Sequence, residues 1–216
     1  MKAISRKNSE TGYSSGNLRK YQSANPLKRL LVKRMQNLIL VLSQQYCGGS
    51  GRIRILDAGC GEGINAVRLE QRLPGAELFL LDASEKALDY ARGLCSERCA
   101  FYCGSVTELP FPDRAFDLVL CTEVFEHLDQ PEKAMAELLR VSSGHVILSV
   151  PHEPWFRIGN LLALQNVSRL GDPPDHKNHW TFGGFRRWVL RFSPGWRCEF
   201  YDSFPWTVVC LHRNQD

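Results

Sequence analysis

The chain of 216 residues contains 44% hydrophobic and 23% charged residues, as an ordinary globular protein with room for one substantial core does. No apolar run reaches the roughly 18 residues that a membrane-spanning helix needs, and the polar, basic N-terminus lacks the apolar stretch of a signal peptide. These features predict a cytoplasmic protein with no membrane span. The net charge of +4 is uneven, because residues 1–34 hold nine basic residues and one acidic residue.

Residues 1–25 are rich in Ser, Asn, Gly, Lys and Arg, and we expect them to form a flexible basic arm. Such an arm can bind nucleic acid, an anionic membrane or an acidic substrate, but we favour a solvated tail or a lid over a site. Pro26 suits the first turn of a helix. Apolar residues then recur at steps of three and four, which predicts an amphipathic helix to about Tyr46. Residues 26–216 are predicted to form a single domain.

A glycine turn occupies residues 57–63, Asp-Ala-Gly-Cys-Gly-Glu-Gly. The apolar run 53–56 precedes it and a helical pattern follows it, so strand, turn and helix are expected in that order. A dinucleotide site requires glycine at the first, third and sixth positions, but the sixth position from Gly59 is Ile64 and the third glycine, Gly63, comes one residue early. The spacing therefore disfavours NAD.

Two carboxylates point to a charged nucleoside without phosphates. Asp57 lies two residues before the first glycine, where it can hold a cationic amino group. Asp82 ends the second predicted strand and is placed to accept hydrogen bonds from both ribose hydroxyls. The alternative for Asp82 is a simple N-cap of the helix that starts near Ser84.

Strands and helices alternate through the rest of the central region, which predicts a parallel sheet with helices on both faces. The predicted strands lie near 52–57, 77–82, 99–103, 115–121 and 144–150, and the predicted helices near 63–73, 84–95, 131–142, 155–169 and 182–192. Two further strands, 196–202 and 206–212, are separated by a short turn.

Four more segments follow the glycine turn in a characteristic order: 109–113, 116–121, 123–128 and 131–141. With them, the chain from Arg52 to Pro151 resembles the class I S-adenosylmethionine-dependent methyltransferases, above all the small-molecule branch of ubiquinone and menaquinone biosynthesis. The resemblance implies an α/β, Rossmann-like fold with a seven-stranded, mostly parallel sheet and an antiparallel last strand. It also implies S-adenosyl-L-methionine as cofactor and methyl transfer to a small organic acceptor.

The resemblance also implies which residues bind the cofactor. They are Asp57, Gly59, Cys60, Gly61, Gly63, Asp82, Ala83, Ser105, Val106 and Thr122, with Tyr21 from the arm. One position departs from the family. Many relatives have Gly-Asp-Ala after the third strand, with the Asp on the adenine amino group, whereas this chain has Ser105 there. A neutral hydroxyl predicts weaker cofactor affinity.

The acceptor pocket is assigned to the insert 151–180, since loops at strand carboxyl ends face the ligand crevice. His152, Trp155, Phe156 and Trp180 are predicted to wall the acceptor, although the aromatic residues could equally pack a small cap. Candidate catalytic residues are Glu123, beside the transferable methyl group, and the imidazoles of His127, His176 and His179. His127 could instead brace the fold.

Two alternatives stay open. The small-RNA 3′-terminal 2′-O-methyltransferases carry a metal-binding Glu-x-x-Glu-His motif, which Glu123, Glu126 and His127 match, and a distant Asp-His pair like Asp175-His176. The other alternative is a cofactor-binding member that transfers no methyl group. The favoured prediction has a small-molecule acceptor, no nucleic acid partner and no metal. A metal bound by cysteines is disfavoured because the eight cysteines form no CxxC pair and suit reduced, buried thiols.

Overall fold

The computed structural model describes residues 25–47, 52–163 and 165–214. The helices are α1 (Pro26–Cys47), α2 (Ile64–Arg72), α3 (Glu85–Arg92), α4 (Pro131–Val141), α5 (Trp155–Leu162) and α6 (Phe182–Phe192). The strands are β1 (Ile53–Ala58), β2 (Ala76–Asp82), β3 (Cys99–Cys103), β4 (Phe116–Thr122), β5 (Ser142–Pro151), β6 (Trp196–Ser203) and β7 (Trp206–Arg213). Two short 3-10 turns cover Phe125–His127 and Val167–Arg169.

The seven strands form one sheet in the order β3-β2-β1-β4-β5-β7-β6. Strands β1 to β5 pair in parallel, and β7 runs antiparallel to both β5 and β6. This confirms the predicted fold, including the antiparallel last strand. The strand order reverses between β1 and β4, and ligands of open α/β sheets bind at the carboxyl ends of the strands beside such a reversal.

Helices cover both faces of the sheet because apolar side chains alternate along the strands. Ile55 of β1 packs with α1, α2 and α3 on one face, whereas the next residue, Leu56, packs with α4 and α6 on the other. Helix α1 joins the first of these cores through Met35, Ile39 and Leu42, each at most 3% exposed. The amphipathic helix predicted from Pro26 is therefore confirmed.

The helix predicted over 155–169 is wrong beyond Leu162. Helix α5 ends there, and Asn166 and Leu170 then adopt φ near 51°. Left-handed residues cannot continue a right-handed helix, so the chain turns back on itself. The side-chain amide of Asn160 donates to the Gly171 carbonyl at 3.0 Å, which closes the loop onto α5.

The insert 151–180 crosses the carboxyl end of the sheet and is tied down at two places. The backbone N–H of Glu153 donates to the Trp180 carbonyl at 2.9 Å. At its far end, the N–H groups of Lys177 and Asn178 both donate to the Glu126 carbonyl, at 2.7 and 3.0 Å. The 3-10 turn after β4 therefore anchors the cover.

Among the described residues, no helix combines the length and apolar character needed to cross a membrane.

Candidate active site

The glycine turn adopts a backbone that side chains would disrupt. Gly59, Gly61 and Gly63 have φ of 78°, 51° and 73°, in the left-handed region that favours glycine. A Cβ atom built on Gly59 would lie 2.4 Å from a methyl carbon of Val124. The turn is thus wedged between the ends of β1 and β4, and its bare backbone faces the crevice.

Asp82, at the end of β2, supports this turn directly. Its Oδ2 accepts from the Gly61 N–H at 2.7 Å, and its Oδ1 accepts from the Ser84 N–H at 2.8 Å. Ser84 itself is the N-cap of α3 and accepts from the Ala87 N–H. Asp82 is therefore not the cap, and its carboxylate retains lone pairs for a ligand.

Asp57 lies below the turn rather than on the cavity surface. It is 2% exposed. Burial, and then the negative charge of Asp82, raise the pKa of Asp57 to about 7, against a smaller opposing effect of Asn65. Any contribution of Asp57 to a ligand would pass through the backbone of the turn.

A cavity of about 910 Å³ opens above the turn, between the sheet and the cover. Sequence-predicted residues on its wall include members of both the cofactor and the acceptor groups. They are Gly59, Cys60, Gly61, Asp82, Ala83, Ser105, Val106, Thr122, Glu123, His127, Phe156 and His176. Their convergence on one space links the predicted cofactor end to the predicted acceptor end.

Other predicted residues lie outside this cavity. Gly63 is the N-cap of α2. Trp180 is partly buried and packs against Phe185 and Trp188 at the edge of the core, and Trp155 is 49% exposed.

Two predicted histidines also lie outside, and one tyrosine cannot be placed. His152 forms a β-bridge with Trp180, and His179 bonds the Asp172 carboxylate at 2.7 Å. Although burial opposes it, His179 lowers the pKa of Asp172. Tyr21 lies outside the described residues.

Glu123 sits at the cavity wall in a strained conformation, with φ of 56°. Its Oε1 accepts from the indole N–H of Trp206 at 2.7 Å, and Trp206 is 2% exposed. Non-glycine residues with positive φ cost about 1–3 kcal/mol and often mark functional sites. The strained backbone and the bond to Trp206 together fix Glu123 at the cavity wall.

Three polar side chains meet where the cover touches the 3-10 turn. Glu126 is fully buried, His176 is 7% exposed, and candidate metal-ligand atoms of Glu126, His127 and His176 lie within 4.8 Å of one another. The His176 ring stacks on Phe156 with centroids 5.7 Å apart. Oxygen and imidazole nitrogen ligands of this kind suit a divalent cation.

The tautomer of His127 follows from its contact. Its Nδ1 lies 2.9 Å from the Asp175 backbone carbonyl. A carbonyl only accepts, so Nδ1 carries the hydrogen and Nε2 of the neutral ring keeps its lone pair. His127 can therefore accept a proton or ligate a metal through Nε2.

Several residues that line the cavity were not predicted from the sequence. Asn65 donates to the Thr122 hydroxyl at 3.0 Å, and its position just after the glycine turn was a usable signal. Lys28 reaches the cavity from α1 and bonds the Gln165 side chain at 2.9 Å. No sequence pattern predicts the contact between Lys28 and Gln165, which are 137 positions apart.

At the predicted adenine end, Ser105 is engaged locally. Its hydroxyl lies 2.7 Å from the Thr107 hydroxyl and accepts from the Thr107 N–H. Val106 beside it is 6% exposed and supplies an apolar wall. This end of the cavity offers packing and neutral polar groups rather than a carboxylate.

A parallel sheet with a reversed final hairpin, a glycine turn after β1 and an acid at the end of β2 together define the class I methyltransferase fold. Residues 56–148 match the family model described as a methyltransferase domain. Over this stretch the chain is similar to the class I S-adenosylmethionine-dependent methyltransferases of the type 11 branch.

Relatives and neighbours agree with this assignment. An uncharacterized methyltransferase of Schizosaccharomyces pombe is 40% identical over 41% of this chain and 36% of its own length. The demethylmenaquinone methyltransferase of Thermus thermophilus is 37% identical over 47% of this chain and 49% of its own. This chain thus matches half or less of each relative. The magnesium protoporphyrin IX methyltransferase of Synechocystis, solved with SAH, shares the fold at 17% identity, with a TM-score of 0.67 over 99% of this chain and all of that one.

Proposed function

We propose that this protein transfers a methyl group from S-adenosylmethionine to a small organic acceptor by in-line displacement. The observation that carries the proposal is the cavity floored by the glycine turn and Asp82 and roofed by the cover. Its volume of about 910 Å³ lies at the upper end of the range for small-molecule sites, which suits two ligands side by side.

The residues on the cavity floor fit the cofactor. Gly59 and Gly61 line the cavity with backbone that carries no side chain, against which a nucleoside would fit. Asp82, already oriented by two backbone N–H groups, would accept from the ribose hydroxyls. When bound, S-adenosylmethionine supplies a methyl group activated by the sulfonium charge.

The remaining task of the protein is alignment and removal of the acceptor proton. His127 and His176 line the cavity and are the proposed bases, and Glu123 is held beside them by Trp206. His179 lies outside the cavity, bonded to Asp172. We propose that His179 acts by holding the cover in place.

Calorimetric titration with S-adenosylhomocysteine tests the cofactor assignment. Asp82→Ala should weaken binding at least about tenfold, because hydrogen bonds to a charged group contribute roughly 1.5–3 kcal/mol each. Asp89→Ala is the matched control, since Asp89 is an exposed acid on α3 that pairs with Arg92. Equal affinities for both variants would reject the site.

Turnover against a panel of hydroxyl, amine and carbon-acid acceptors tests the proposed bases. His176→Ala should lower turnover far more than cofactor affinity. Lys177→Ala, which removes the exposed contact with Asp129, should leave both nearly unchanged. No turnover by the unaltered protein with any acceptor, despite cofactor binding, would favour the non-methylating alternative.

A second candidate function rests on the Glu126–His127–His176 cluster. These ligand atoms suit Mg²⁺ or Mn²⁺ near a ribose diol, as a metal-dependent 2′-O-methyltransferase of RNA 3′ ends requires. It predicts methyl transfer to an RNA 3′ end that stops on chelation with EDTA and in Glu126→Gln. Transfer to a small acceptor that EDTA does not affect would reject this candidate.

A further inference from the structure

Exposed apolar side chains concentrate around the mouth of the cavity. Of the ten large ones exposed among the described residues, seven lie within three positions of a residue that lines the cavity, and Phe204 has its ring 6.2 Å from one of the seven, Trp155; Val41 and Leu190 lie elsewhere. We call the eight the mouth patch: Leu27, Leu30, Trp155, Ile158, Leu162, Val167, Leu170 and Phe204. Soluble monomers rarely leave a contiguous apolar surface of this kind uncovered, so a function is indicated.

Contacts join the parts of the mouth patch to each other. Lys28, between Leu27 and Leu30, lines the cavity and bonds Gln165 at 2.9 Å, which brings the start of α1 to the cover loop. The ring of Trp155 lies 6.2 Å from that of Phe204. These contacts place the start of α1 beside the cover loop, and Phe204 beside the start of α5.

One side of helix α5 is buried and the other is exposed. Phe156 and Asn160 are buried and line the cavity, whereas Trp155, Ile158 and Leu162 are exposed at a spacing of three and four residues. That spacing places the exposed three on one side of the helix. The outward side of α5 is thus apolar, the reverse of a solvated helix.

Basic residues outnumber acidic ones in the two segments that carry seven of the eight patch residues, and the nearest acids in sequence are Glu153, Asp172 and Asp202. Helix α1 contains four basic residues and no acid, and residues 154–171 contain Arg157 and Arg169 and no acid. Residues 1–24 add five basic residues and one acid in sequence. An apolar face flanked by Lys and Arg is the pattern of segments that lie in the interface of an anionic bilayer.

We propose that the mouth patch docks on an anionic lipid membrane, so that the cavity opens toward the bilayer surface. This goes beyond the proposed function. Where both hold, the acceptor belongs to the class of amphipathic molecules that partition into membranes and present a polar head to the cavity. Apolar side chains of the patch would enter the headgroup region, and the basic residues would meet the lipid phosphates.

Vesicle sedimentation with the full chain tests the proposal. Binding should be at least about tenfold stronger to vesicles of equal phosphatidylglycerol and phosphatidylcholine than to phosphatidylcholine alone, and should weaken as salt is added. Leu162→Glu and Gly159→Glu should each lower partitioning at least about tenfold. A Cβ on Gly159 meets nothing within 4 Å, so this variant adds charge to the exposed side without a clash.

Leu190→Glu is the matched control, because Leu190 is 50% exposed on α6, on the other face of the sheet. It should change partitioning less than about twofold. Binding that survives both patch substitutions would assign it to basic residues outside the patch and overturn the proposal. So would an absence of vesicle binding, or a dimer in sedimentation equilibrium that Leu162→Glu dissociates, since a second copy would then cover the patch.

Titration of the same variants with S-adenosylhomocysteine separates the two proposals. Vesicle binding by a chain that does not bind the cofactor would support the docking surface and reject only the enzymatic function. Cofactor binding without vesicle binding would do the opposite.

Discussion

Asp57 and Asp82 are two carboxylates of one site in opposite surroundings. Asp82 reaches the cavity and accepts two backbone N–H groups, whereas Asp57 is sealed beneath the glycine turn. Burial raises the pKa of Asp57 to about 7 because a charge in the interior loses its hydration. The protein therefore binds a proton at Asp57 that the unfolded chain releases near pH 4.

This difference predicts how stability depends on pH. Between about pH 4 and pH 7 the native state holds a proton at Asp57 that the unfolded state lacks, so the contribution of Asp57 to stability falls as the pH rises. Asn does not titrate, so the stability of Asp57→Asn lacks this decrease with rising pH. In urea unfolding of the cofactor-free protein, the variant should gain stability relative to the original on going from pH 5 to pH 7.5, by an amount on the order of 1–3 kcal/mol.

Glu137 provides a control of opposite sign. The ion pair with Arg140 holds the pKa of Glu137 below its usual value, although burial opposes this. Its stabilising contribution is present above about pH 4.5 and is lost at lower pH. Glu137→Gln should therefore cost more stability at pH 7 than at pH 3.5. The Asp57 prediction would be contradicted if the stability of Asp57→Asn changed with pH as that of the original protein does, because the pKa of Asp57 would then not be raised by burial.

At the scale of elements, the cover depends on one close approach between its loop and α5. Gly171 has φ of 81°, and a Cβ there would lie 2.1 Å from the Arg157 carbonyl oxygen. The segment that follows Gly171 carries Asp175 and His176 to the anchoring 3-10 turn. The backbone at Gly171 thus sets how the cover meets the end of the cavity lined by His127 and His176.

Two glycine substitutions should separate the cover from the cofactor floor. Gly171→Ala should open the loop, because the left-handed backbone and the clash both oppose a side chain. Limited proteolysis should then cut residues 163–175 several-fold faster, while the affinity for S-adenosylhomocysteine changes less than about threefold. Gly159→Ala, on the exposed side of the same helix, should leave cleavage unchanged or slower. Equal cleavage of the two variants would show that Gly171 does not hold the cover.

At the scale of the whole molecule, the strand reversal brings distant segments to one edge of the sheet. The cavity is walled by α1, by the ends of β1, β2 and β4, and by the cover. A ligand that fills it would join these segments and stabilise only the native state.

Thermal unfolding should report that coupling. S-adenosylhomocysteine at about 100 times its Kd should stabilise the protein by roughly 2.7 kcal/mol, which raises Tm by roughly 5–10 °C for a chain of this size. NAD at the same concentration should raise Tm by less than about 1 °C, because the glycine spacing does not suit a pyrophosphate. A larger shift with NAD would reject the cofactor assignment.

The sequence by itself determined the sheet with its helices, the glycine turn and the position of Asp82. These features rest on local rules: apolar periodicity sets helix and strand, and the positive φ at residues 59, 61 and 63 favours glycine. The tertiary structure alone decided which aromatic and histidine side chains meet. Trp155 faces outward, Trp180 packs against the edge of the core, and His176 lies beside His127 although 49 positions of chain separate them. Contacts between segments far apart in sequence depend on how whole elements pack. The local sequence around a side chain predicts its secondary structure but not that packing.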